Sequence, residues 1–270
     1  MAVDVAPELL EQIQTEFNRR IDRNQRIAEV YWKIQDSKPL TYEDANIFAE
    51  EVGNVLAQCF KKVFTPDSLP NGQLYYNIAE KVVKPMLVNN FNLISDVAEQ
   101  TQLSLNKAAG INLKAKKPKI NSDRIDGLAE KSASYKTIEE SAWVLNEPVI
   151  NYSQSVVDDF VRENVEFQYK AGFKPKITRI FHGGDCEYCA ERAGTFDYPK
   201  IPDGFYRRHR ECRCTILFAP EKGKYQDVWG KRSYSDANEA AIEQRKLNAK
   251  RDKMTEEEKR KARNERARQL

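Results

Sequence analysis

The sequence predicts a mainly α-helical protein, with an elongated helical N-terminal region, a small cysteine-rich α+β module and a charged helical tail. Apolar residues recur at helical spacing through about residue 170. A shorter stretch, 173–230, contains strand-forming runs, prolines and turn residues. We therefore divide the chain into a helical domain (1–112), a basic linker with short helices (113–150), the cysteine-rich module (151–232) and a tail that is helical or partly disordered (233–270).

The composition limits the classes of function. The net charge of the 270-residue chain is only +3, so any contact with nucleic acid must come from a local patch. No run of 18 apolar residues exists, which argues against a membrane-spanning helix, and the N-terminus does not resemble a signal peptide. We expect a reducing compartment, where clustered cysteines are more often metal ligands than disulfides.

The N-terminal domain is expected to contain three long helical segments, which cover residues 7–35, 42–64 and 73–108. Thr41 is suited to cap the second of these. Pro85 should kink or split the third, because proline lacks the N–H that a helix interior requires. Cys59 lies on an apolar stripe and is expected to be a small buried side chain rather than a reactive thiol.

The linker contains four lysines between Lys114 and Lys119. They form either a solvated loop or a surface that contacts phosphates or a partner. Shorter helices should follow over 122–132, 137–147 and 153–170, and strands over 177–181 and 212–218. The tail has 11 Lys/Arg against 6 Asp/Glu over 241–270, and is either solvated or an arm that becomes ordered on a partner or on DNA.

The chemistry-bearing residues gather in the C-terminal module. Four of the five cysteines and both histidines lie between His182 and Cys214, with the spacing Cys-x2-Cys, 19 residues, then His-x2-Cys-x-Cys. Two distant ligand pairs that meet at one tetrahedral ion are what a structural zinc site needs. Five ligands compete for four positions: Cys186, Cys189 and Cys212 are assigned first, and His209 and Cys214 compete for the fourth. The alternative is a set of reduced cysteines without metal.

Two other functions were weighed against a structural zinc site. A metal-dependent nuclease would use His182 as its base, but four or five soft ligands would leave no open position for water. A DNA-binding protein would use the basic loop around the ligands. The arginines of that loop could contact phosphates or form salt bridges at a protein interface, and the sequence does not separate the two: Arg207, Arg208, Arg210 and Arg213.

The whole pattern resembles the C-terminal signature of the phage Mu F-like minor head proteins. The matching features are the two cysteines Cys186 and Cys189, then Gly194 with nearby aromatics and prolines, and finally the segment from His209 to Cys214. The family often has proline after the histidine, whereas this chain has Arg210. The flank 223–231 is also similar to minor head proteins of phages of Gram-positive hosts.

The resemblance, which covers about residues 150–232, implies a structural protein of the virion rather than an enzyme. Such a protein would lie inside the capsid near the portal, after assembly in the host cytoplasm, and would act in head assembly, DNA packaging or DNA delivery. Its partners would be the portal protein or the major capsid protein, with packaged DNA as a further contact. Neither a small-molecule substrate nor a membrane is implied.

Overall fold

The computed structural model describes residues 4–183 and 186–219, and within them the chain is mainly helical with one small antiparallel sheet. The predicted fold class is confirmed to that extent. The charged tail and the flank 223–231 lie outside the described residues. The helices are α1 (Ala6–Arg23), α2 (Gln25–Gln35), α3 (Tyr42–Val63), α4 (Tyr76–Ala108), α5 (Ser122–Ala133), α6 (Ile138–Ser141), α7 (Glu147–Lys170) and α8 (Glu187–Ala190), and the strands are β1 (Lys176–Ile180), β2 (Gly194–Asp197) and β3 (Thr215–Ala219).

Side-chain caps mark the starts of α2 and α3. The Thr41 hydroxyl accepts from the Asp44 N–H, and the Asp44 carboxylate accepts from the Thr41 N–H, so a capping box opens α3. The single helix predicted over 7–35 is instead two, because the extended backbone of Asn24 ends α1 and its side chain caps α2 at Ile27.

Pro85 does not split α4, which runs through it for 33 residues. The proline costs this helix one backbone hydrogen bond. On either side of it, however, four side chains of the same helix are buried: Val82, Val83, Met86 and Leu87. Tertiary packing of this apolar face therefore keeps the helix continuous.

Helices α3 and α7 cross at the centre of the core. Gly53 allows the close approach, because a Cβ at this position would lie 2.9 Å from the Ile150 Cα and 2.9 Å from the Ser153 hydroxyl. Helix α7 begins at Glu147, earlier than the predicted residue 153, with Pro148 in its first turn. The predicted helix over 137–147 is correspondingly reduced to the four residues of α6.

We refer to α1–α7 as the helical body and to residues 176–219 as the cysteine module. In the module, β1 lies between β2 and β3 in an antiparallel sheet. Strand β2 was not predicted, and β3 begins at Thr215 instead of residue 212. One apolar core runs from Ala6 in α1 to Phe218 in β3, so it crosses the predicted boundaries at 112 and 150. Among the described helices, none combines the length and the apolar character needed to cross a bilayer.

Candidate metal centre

Two segments of the cysteine module carry the predicted ligands. The first follows β1, where Gly183 adopts a left-handed backbone conformation (φ +96°) and leads toward α8. Cys186 lies at the N-terminal end of α8, and Cys189 lies within that helix. The second segment precedes β3, where the Cys212 N–H donates to the His209 carbonyl across a tight turn at 3.1 Å. The two segments are thus held as separate turns that face one another.

The ligand atoms form two overlapping groups, and Cys189 belongs to both. Its sulfur lies with those of Cys212 and Cys214 in one group, and with Cys186 and His209 in the other, and within each group all ligand atoms lie within 4.8 Å of one another. His209 Nε2 is 3.1 Å from the Cys186 Sγ and 3.0 Å from the Cys189 Sγ, and the Cys189 and Cys212 sulfurs are 3.8 Å apart. These Cys and His groups are placed to hold a metal ion.

The orientation of His209 leaves Nε2 free to act as a ligand. Its Nδ1 is 2.5 Å from the Arg210 carbonyl oxygen, and a carbonyl can only accept a hydrogen bond. The proton of the neutral ring therefore lies on Nδ1, and the lone pair of Nε2 points at the cysteine sulfurs. A backbone carbonyl that fixes the tautomer of a histidine is typical of metal ligands.

The thiols of the cluster differ in acidity. A hydrogen bond from Cys214 lowers the pKa of Cys212 to about 4, and the charges of Arg208 and Arg179 act in the same direction. The same hydrogen bond, together with burial, raises the pKa of Cys214. Burial also raises the pKa of Cys189. Of this pair, Cys212 therefore loses its proton more readily than Cys214, and thiolates are the form that binds metal.

Arg179 is the charged side chain that contacts the cluster from the buried side. It lies on β1, is 1% exposed, and approaches the Cys189 and Cys212 sulfurs through Nη2 at 3.5 and 3.7 Å. It also donates to the carbonyl oxygens of Phe205 and Arg207. Burial alone would lower the pKa of Arg179, but the neighbouring cysteines outweigh burial and the net shift is upward.

Sequence reasoning missed Arg179, although a signal for it exists. The segment KITRI alternates, so Ile177 and Arg179 share the face of β1 that is turned inward. An arginine at an inward position of a strand requires buried acceptors or anions. The nearby cysteines could supply them, but the alternation does not show which groups meet the guanidinium.

The four arginines predicted as external contacts have different surroundings. For Arg208 the prediction is wrong, since its side chain is buried and forms a two-point ion pair with Asp158 of α7, at 2.5 and 2.9 Å. Arg213 is half-buried and pairs with Glu50 and Glu147. Arg207 and Arg210 are exposed. Arg210 lies over the ring of Trp143 at 6.0 Å and pairs with Glu211.

Two further predicted sites have local partners. His182, the base required by a nuclease, is exposed, and its Nε2 lies 2.8 Å from the Thr215 hydroxyl. In the basic linker, Lys116 pairs with Glu163 and Lys117 with Asp96. Cys59 is fully buried in the core, as predicted. These contacts do not test either the nuclease or the DNA-binding alternative, which stay predictions.

Comparisons of this chain with protein families, with curated proteins and with solved structures found no match. The resemblance to minor head proteins therefore rests on the sequence features described above alone.

Proposed function

We propose that this protein is a structural component of a phage virion, a minor head protein that acts near the portal in head assembly, DNA packaging or DNA delivery. The observation that carries the proposal is the motif itself. The order Cys-x2-Cys and His-x2-Cys-x-Cys resembles the signature of such proteins, and its five residues lie together in the fold. The residues of the motif can serve a common metal centre only if they lie close together in the fold, as these five do.

The proposed ion is Zn²⁺, and its proposed ligands are Cys186, Cys189 and Cys212, with either His209 or Cys214 as the fourth. Thiolate and imidazole together suit zinc better than magnesium or calcium, which prefer oxygen ligands. With Zn–S bonds of about 2.3 Å, a tetrahedral site separates two sulfurs by about 3.8 Å. The distance between the Cys189 and Cys212 sulfurs is 3.8 Å. If His209 is the fourth ligand, Cys214 lies outside the ligand shell and donates a hydrogen bond to Cys212.

The proposed role of the metal is structural. The cysteine module has only a three-stranded sheet and one short helix, which is little material for a core of its own. Four protein ligands would close the shell, so no position would be left for a water nucleophile. We therefore propose that the protein is not an enzyme and that the metal connects the α8 turn to the segment before β3.

The proposed partners are the portal protein or the major capsid protein, in the capsid interior, with packaged DNA as a further contact. Arg207 and Arg210 are the exposed arginines next to the proposed ligands, so they are the residues best placed to contact a partner. Arg208 is excluded from this surface by its buried ion pair with Asp158.

The proposed function is tested by locating the protein in purified phage particles. Tailed particles purified from the source cells should contain the chain in few copies, and immunogold labelling of opened particles should place it at the portal vertex. In a complementation assay, Cys189→Ser should abolish the production of filled heads, whereas Cys59→Ala, which removes a cysteine outside the cluster, should not. Absence of the chain from purified particles would contradict the proposal.

A further inference from the structure

We propose that Arg179 is a positioning residue of the metal centre, whose buried guanidinium balances the negative charge of the thiolate ligands. This inference rests on the proposed metal centre, but it concerns a residue outside the cysteine and histidine motif. It holds for either assignment of the fourth ligand, because the two sulfurs that Arg179 approaches, Cys189 and Cys212, belong to the same group of ligands in the fold.

Arg179 is placed in the fold like an internal counter-ion. It is among the largest fully buried side chains of the described residues, at 1% exposed, and its hydrogen-bond partners are two sulfurs and two backbone carbonyls. Within the part of the chain that the structure describes, no carboxylate is among these partners. By contrast Arg208, the other arginine buried nearby, is paired with Asp158. The positive charge of Arg179 is therefore left for the sulfurs.

The charges of the proposed site explain why such a cation is needed. A divalent ion with three thiolates and one neutral imidazole carries one net negative charge, and with four thiolates it would carry two. Burying an uncompensated charge is costly unless it is paired and hydrogen-bonded. One guanidinium at 3.5 and 3.7 Å from two of the sulfurs neutralises the three-thiolate site.

The remaining hydrogen bonds of Arg179 fix its position. The guanidinium donates to the carbonyl oxygens of Phe205 and Arg207, in the segment that leads to His209. The residue therefore connects β1, the α8 turn and the ligand-bearing segment through one rigid planar group. Residues that support metal ligands in this way typically contribute about 10–100-fold in metal affinity.

The experiment measures metal affinity in the purified full-length chain by competition between Zn²⁺ and a chromophoric chelator. Arg179→Met, which removes the charge and keeps most of the side-chain length, should weaken Zn²⁺ binding about 10–100-fold. Arg179→Lys, which keeps the charge, should recover part of that loss. The matched control is Arg192→Met, a change at an arginine of the same module that donates to the Asp203 and Tyr188 carbonyls, which should leave Zn²⁺ affinity within about threefold of the wild type.

A second readout separates a role at the metal from a role in the fold. The increase in Tm on going from chelator to saturating Zn²⁺ reports metal affinity by mass action. The proposal requires a smaller increase in Arg179→Met than in the wild type, whereas a purely structural role lowers both Tm values equally. In Co²⁺-loaded protein, the thiolate-to-metal absorption band should also shift in Arg179→Met and not in Arg192→Met.

The outcomes distinguish this inference from the proposed function. If the wild type binds no Zn²⁺ or Co²⁺, the metal centre itself is refuted. If the wild type binds metal and Arg179→Met binds it equally well, only the role of Arg179 is refuted. If Arg179→Met does not fold, Arg179→Gln takes its place. Failure of both to fold in excess Zn²⁺ would also overturn the inference, since Arg179 would then hold the fold.

Discussion

The helical body and the cysteine module are stabilised by different chemistry, although they share one core. In the body, most of the largest fully buried side chains are apolar, such as Phe48, Phe60 and Phe160, and Tyr42 is buried with its hydroxyl donating to Gln102. In the module, the largest is Arg179, and the buried cysteines form a second small cluster: Cys189, Cys212 and Cys214. Burial of apolar surface is non-directional and is the main contribution to the stability of the body. The module buries groups that need specific partners, so its stability depends on a few contacts.

This difference predicts where each region can be disrupted. A change at one cysteine should disrupt the module and leave most of the body folded, because β3 contributes Ile216 and Phe218 to a core that the helices already fill. A change in the body should lower the stability of the whole chain without altering the stoichiometry of metal binding. The predictions below are arranged by the size of the expected effect.

The largest effect is expected from Cys189→Ser, because Cys189 belongs to both ligand groups. Structural zinc contributes an apparent free energy of about 10–16 kcal/mol in zinc-finger peptides. Loss of the ion should therefore remove hydrogen-exchange protection from residues 176–183 and 186–219, while α3 and α4 stay protected. Cys186→Ser and Cys212→Ser should behave in the same way.

Cys59→Ala is the matched control for this prediction, since it removes a buried cysteine from α3 and keeps the metal ligands. It should lower the stability of the body and leave metal binding at the wild-type stoichiometry. Full retention of protection in the module of Cys189→Ser would show that the ligand cluster does not hold the module together.

The second largest effect is expected at the contact between the two regions, where Arg208 of the module forms an ion pair with Asp158 of α7. Asp158→Asn leaves a buried guanidinium without its counter-ion, which typically costs about 3–5 kcal/mol. Urea unfolding in saturating Zn²⁺ measures this loss. The control is Asp159→Asn, which breaks the more exposed pair with Arg162 and should cost at most about 1 kcal/mol. Equal losses for the two variants would refute the assignment.

The third effect lies in the body, at the crossing of α3 and α7. Gly53→Ala places a Cβ 2.9 Å from the Ile150 Cα, a backbone atom that cannot move aside alone. Overpacking of this kind costs about 1–3 kcal/mol, and metal binding should not change. The control is Gly127→Ala in α5, where a Cβ meets nothing within 4 Å and should stabilise the helix by about 0.5–1 kcal/mol. Thermal unfolding of both variants makes the comparison.

The two regions also differ in how far the sequence predicts them. Helical periodicity predicted most of the body, because α3 and α4 each present a repeating apolar face. Periodicity alone predicted one helix in place of α1 and α2, because the break between them depends on one side-chain hydrogen bond of Asn24. It predicted a shorter α7, because the first two turns of that helix contain Asn151 and Ser153, residues of low helix propensity. The continuity of α4 through Pro85 likewise depends on tertiary packing.

In the module, the sequence predicted which cysteine and histidine side chains lie together and missed most of what surrounds them. Metal-ligand spacing is a local property, so Cys186, Cys189 and the later residues could be recognised directly. The contacts of Arg179 and Arg208 depend on which distant segments meet, and both were beyond the reach of local patterns. The strand β2 was missed because its four residues, GTFD, carry no alternating apolar pattern.

The most direct measurement is the metal content of the full-length protein, purified without chelator and analysed by mass spectrometry of the elements. We expect about one Zn²⁺ per chain in the wild type and in Cys59→Ala, and none in Cys189→Ser. Less than about half an equivalent of zinc in the wild type, or an equal zinc content in Cys189→Ser, would contradict the claim that this cluster is a structural metal centre.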